Sequence, residues 1–113
     1  MISRIWYGWT QPDMADRYET LIRDTIFPAI LARRVAGLDR LELLRRDAGG
    51  EVEFVTVMAF RSMDAVRAFA GEDWETAVVP PEARAVLARF DPRSAHYEVR
   101  VAAAAETAAA SMG

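Results

Sequence analysis

The sequence predicts an α+β fold, a four-stranded antiparallel sheet with helices packed on it, in the order strand, helix, strand, strand, helix, strand. Three observations carry this. Strand-like segments stand at both ends and in the middle of the chain. The segments between them carry apolar residues at helical spacing. A Gly-Gly pair joins the two middle strands as a hairpin. A chain of 113 residues holds one core and leaves little room for a second.

Ile2 to Trp9 alternate, with Ile5, Tyr7 and Trp9 on one face and Arg4, Trp6 and Gly8 on the other, so two tryptophans of one strand point in opposite directions. Thr10-Gln11-Pro12-Asp13 sets a hydroxyl three residues ahead of a carboxylate with a proline in the first turn, the pattern of a capped helix start. Met14, Tyr18, Leu21, Ile22 and Ile26 then form one apolar stripe. Pro28 is expected to disturb that helix near its end, and Ala29 to Ala36 can continue it as a short second piece.

Leu38 to Arg46 and Glu51 to Phe60 flank Asp47-Ala48-Gly49-Gly50, a hairpin connection. In the second of these strands Phe54, Thr56, Met58 and Phe60 make one face and Val55, Val57 and Ala59 the other, and neither face is polar. A lone antiparallel sheet of this size usually leaves one face wet, so a second subunit is expected to cover it and the chain is expected to be a homodimer. Ser62 suits the cap of a helix carrying Met63, Val66, Phe69 and Ala70, stopped by Gly71. After the polar stretch around Trp74, Pro80-Pro81-Glu82 opens a short helix with Ala83, Val86, Leu87 and Phe90 inward, ended by Asp91-Pro92. The last strand is expected from about Ala95 to Val101, with His96, Glu98 and Arg100 on one face and Tyr97, Val99 and Val101 on the other. The two similar halves make a ferredoxin-like βαββαβ plan over residues 2–101, and the Ala-rich stretch 102–113 is expected to be a frayed tail that can be deleted.

Composition narrows the chemistry. Hydrophobic residues make up 52% and charged residues 27%, the balance of a folding globular chain. All 14 basic residues are arginine, against 17 acidic ones, for a net charge of −3, so no nucleic-acid footprint is expected. Without lysine there is no Schiff-base amine and no phosphate-loop lysine; without cysteine there is no thiolate nucleophile, thiolate metal site or disulfide. One histidine supplies no cluster of imidazole ligands, so no metal is expected. No stretch reads as a signal peptide or membrane span, and a cytoplasmic location is expected.

His96 is the one side chain whose ordinary pKa suits proton transfer at neutral pH, which makes it the candidate base; equally, it can be a strand residue paired with Glu98 or Arg100. Ser94 shares its face of the strand, but no third group completes a hydrolase triad. Trp74, in a polar loop, reads as the lid of a cavity or as an interface anchor. Trp6, Trp9 and Tyr7 are open to the same two readings, and Arg4, Arg40 and Arg100 are either pocket groups or solvated charges.

Arg4-Ile5-Trp6-Tyr7-Gly8, the run Ser62-Met63-Asp64-Ala65-Val66-Arg67-Ala68-Phe69-Ala70-Gly71-Glu72-Asp73 and the closing His96-Tyr97-Glu98-Val99 together resemble the antibiotic biosynthesis monooxygenase-like family over residues 2–101. The resemblance implies a dimeric α/β barrel and, for some members, cofactor-independent oxygenation of aromatic polyketide-like compounds. It implies His96 as base with Tyr7 as hydrogen-bonding partner, and Trp74, Trp9, Trp6 and Arg4 as substrate-binding residues, with no cofactor. Two departures stand out. The chain has no asparagine, a residue usual in the pocket of those oxygenases, and its single histidine lies on a strand rather than on the helix where haem-degrading members carry their ligand. The alternative is a non-catalytic dimer that binds a small apolar molecule or serves a structural role.

Overall fold

The computed structural model describes residues 1–105. Its strands are β1 (Ile2–Thr10), β2 (Leu38–Ala48), β3 (Glu51–Phe60), β4 (Arg89–Phe90) and β5 (Ala95–Glu98), and its α-helices are α1 (Ala15–Leu21), α2 (Phe27–Ala32), α3 (Met63–Ala70) and α4 (Pro81–Arg84). The sheet is antiparallel in the order β2-β3-β1-β4, with β5 also on β1. Across its width it has the four positions of the ferredoxin-like plan. The fourth is split: β4 pairs with Gly8 and Trp9 at one end of β1, and β5 pairs with Ile2 to Ile5 at the other. Asp91-Pro92-Arg93-Ser94 separates the two pieces, and Pro92 has no N–H to give to a ladder.

Local chemistry accounts for most boundaries. Gly49 takes φ +77° in the two-residue turn between Ala48 and Glu51, so β2 runs two residues further than its alternation suggests. Ser62 accepts a hydrogen bond from the Ala65 N–H and starts α3, and Gly71 ends it at φ +83°.

Two sequence expectations need correction. Thr10 caps no helix: it closes β1 opposite Val52 with its side chain fully buried, and the 3-10 turn Pro12–Met14 begins after Gln11 without a side-chain cap. Pro28 disturbs the helical segment near its end, as expected, and the segment continues as α2. The turn before it, Ile22–Ile26, is π-helical, and the added residue carries the chain past the point where the proline ring would strike the Asp24 carbonyl. The last strand is also shorter than expected, ending at Glu98, although the Val99 N–H still donates to the Met1 carbonyl at 2.9 Å.

Even-numbered residues of β1 and β3 face the helices. On that side the buried core falls into two clusters, one around Tyr18, Ile22, Phe54 and Val86, the other around Met58, Phe60, Val66 and Phe69. The opposite face is bare of helices, and it carries Tyr7, Leu44 and Tyr97 at 37%, 48% and 58% exposure with Ile5, Trp9, Val55 and Val57 half-buried among them. Among the described residues no helix is long and apolar enough to cross a membrane. The expected tail begins at Ala102, whose first four alanines are exposed; 106–113 lie outside the described residues.

Candidate functional site

A cavity of about 60 Å³, partly open to solvent, lies between the two core clusters. Residue size places it there. Phe54 belongs to one cluster and Met58 to the other, and Thr56 between them on the same face of β3 is too small to close the gap. Tyr18, Ile22, Ile26 and Phe27 wall it from the first helical segment, and Val78, Val79 and Pro80 roof it from the loop after α3. Trp6 and Arg4, two residues apart on β1, form its floor.

Trp6 is fixed by an indole N–H bond to the Asp91 carbonyl at 2.7 Å and by Phe90, ring centroid 5.9 Å away. Gly8 permits this: a Cβ there would stand 3.1 Å from both the Trp6 ring and Leu87.

Arg4 is the charged group of the cavity. It is 3% exposed, and among the described residues no carboxylate pairs with it. Its Nη1 donates to the Trp74 carbonyl and to Nε2 of His96 at 3.0 Å, and its Nη2 donates to the Thr76 carbonyl at 3.3 Å. The ring of Phe69 lies 5.5 Å from its Cζ. Burial lowers its pKa to about 10, which leaves the guanidinium charged at neutral pH.

His96 stands directly opposite Arg4 in the β1–β5 ladder, which is why the two side chains meet. A guanidinium has no lone pair to offer, so Nε2 is the acceptor and the ring proton sits on Nδ1, which is buried without a partner. Trp74 packs edge-on against the imidazole at 5.0 Å. Burial, and next the Arg4 charge, push the His96 pKa below its ordinary value against the smaller opposing effects of Glu75 and the nearby Ser94 backbone, so the ring is neutral at pH 7. Burial also pushes the Tyr18 phenol up, and it stays protonated in the cavity wall.

The structure thus brings four of the six expected residues together: Arg4 and Trp6 in the cavity wall, with His96 and Trp74 behind Arg4. Tyr7 and Trp9 are not with them. They stack on each other at 6.3 Å on the bare face of the sheet, where Arg89 lies 3.8 Å over the Trp9 ring. The reason is the strand period: odd positions of β1 cannot share a pocket with even ones. Arg40 pairs with Glu42 at the surface, and Arg100 lies 3.8 Å from Glu98, both solvated. Missed from sequence were Tyr18, Thr56, Phe69 and the Val78-Val79-Pro80 roof, whose shared cavity follows only from tertiary packing. Among the described residues no cluster of His, Asp or Glu can hold a metal ion.

No protein-family model matches the chain, and no curated protein matches it in sequence. Its fold is that of solved proteins. A Bacillus cereus protein provisionally named an antibiotic biosynthesis monooxygenase superposes with a TM-score of 0.58 at 20% identity, over 92% of this chain and 97% of that one. The Mycobacterium tuberculosis protein Rv0793 superposes with a TM-score of 0.60 at 18% identity, over 91% and 98%.

Proposed function

We propose that the chain takes a small aromatic molecule into the cavity under the sheet and oxygenates it with dioxygen, without a cofactor, as a homodimer. The observation that carries the reading is the cavity itself, apolar over most of its wall, floored by the Trp6 indole and polar mainly at Arg4, Ser94, Thr56 and Tyr18. The name given to the Bacillus cereus structure supports the choice of reaction.

In this chemistry a methylene flanked by aromatic rings loses a proton, the delocalised anion reduces dioxygen directly, and CH2 plus O2 becomes C=O plus water. The protein contributes desolvation and orientation, and His96 serves as proton acceptor once ligand entry draws Arg4 off its Nε2. Tyr7 and Trp9 then belong to the subunit interface, a role supported by their place on the bare apolar face.

One observation favours a second reading, binding without catalysis: the Nε2 lone pair of His96 is already taken by Arg4, and the ring stands outside the cavity wall. Oxygen uptake with anthrone-like and hydroquinone-like compounds separates the two. The oxygenase reading expects saturable uptake that falls by about 100-fold or more in His96→Gln. Uptake at wild-type rate in that variant removes His96 as base, and no uptake with any compound leaves the binding reading.

A further inference from the structure

We infer that the cavity binds its ligand as an oxyanion, with the ionised oxygen of a carboxylate or acidic phenol seated on Arg4. This rests on the reading of the cavity as a binding site. It stands on three observations. First, Arg4 is almost wholly buried and reaches the cavity, yet among the described residues its acceptors are two backbone carbonyls and a neutral imidazole. A buried cation without a counter-charge is costly, and a bound anion is what offsets the cost.

Second, no aspartate or glutamate lines the cavity among the described residues, so the guanidinium's field inside it is not cancelled. Third, the guanidinium has donors left over. Of its five N–H groups, both on Nη1 and one on Nη2 are engaged, which leaves Nε–H and the second Nη2–H without a protein acceptor among the described residues. Two N–H groups match a single ionised oxygen acid, and the apolar walls match the flat body behind it.

The test compares neutral and charged ligands of one shape by calorimetry on the full chain. One arm pairs benzoate, 1-naphthoate and 9-anthroate with their carboxamides; the other pairs 4-nitrophenol, above its pKa, with its methyl ether. A preference of about tenfold or more for the charged member in either arm is expected, and the arm that shows it names the oxyanion. Arg4→Met is expected to abolish the preference while binding of the neutral members persists. The wild-type comparison stands alone if that variant does not fold. Equal binding within every pair overturns the oxyanion inference and leaves the cavity as a site. Binding of no member overturns the site reading and the inference with it.

Discussion

The Arg4 guanidinium donates to Nε2 of His96 at 3.0 Å, so the only imidazole of the chain is held as a neutral acceptor with its own N–H buried. The pH consequence has a definite sign. With a folded pKa below the ordinary 6.5, the unfolded chain binds the proton first as pH falls, so the His96 contribution to stability is lost from about that pH downward. Denaturant titrations at pH 7.5 and 5.5 are expected to show a larger loss for wild type than for His96→Gln. In spectra of the folded protein the imidazole should titrate below 6.5, and Arg4→Met should raise that midpoint, because it removes a neighbouring positive charge.

Arg4 also ties down the cavity roof. Its bonds to the carbonyls of Trp74 and Thr76 hold a loop whose other ties are few, among them the Ala77 N–H to Pro92 at 2.9 Å and the Ser94 N–H to Glu75 at 2.7 Å. In Arg4→Met the amides of Ala77 and Ser94 should exchange with solvent faster, while amides in the β1–β3 ladder keep their protection. Global stability should move by no more than about 2 kcal/mol, since lost hydrogen bonds and relieved burial of charge oppose each other. Unchanged exchange at Ala77 and Ser94 would show that the loop holds without Arg4.

Much of this was legible in the sequence, and the limits have physical causes. Alternation in β1 placed Tyr7 and Trp9 opposite Arg4 and Trp6, yet treating the aromatics as one group joined faces that the strand period keeps apart. His96 and Arg4 could each be singled out, but their meeting depends on the register of β5 on β1, a contact 92 residues apart that no local pattern encodes. Pro28 reads as a disturbance of the helix, but the form it takes, a π turn over Ile22–Ile26, leaves no periodic signature. Thr10 satisfies a capping pattern and instead finishes a strand, because pairing with Val52 extends β1 to that residue.

Thr56 is the point where a larger residue closes the cavity. Thr56→Leu is expected to raise stability by about 1 kcal/mol by filling space and burying apolar area, and to abolish binding of naphthalene-sized ligands. Thermal melts and calorimetry on the one variant read both effects. Retained binding would place the site elsewhere.

The bare sheet face leads to a statement about assembly. Sedimentation at micromolar concentration is expected to give a dimer, with an interface burying upwards of about 2,000 Å². Leu44→Arg, a charge on the edge-strand side of the exposed apolar patch, should give a folded monomer. A wild-type monomer under these conditions contradicts the expectation.

Trp6 and Trp9 lie on opposite faces of one strand, so their indole N–H signals report separately on the cavity and on the bare face. Titration of 15N-labelled protein with 1-naphthoate is expected to shift the Trp6 indole resonance and the Thr56 amide in a saturable way, and to leave the Trp9 indole in place. A shift at Trp9 with Trp6 and Thr56 unmoved would put the ligand on the outer face and contradict the assignment of the cavity as the binding site.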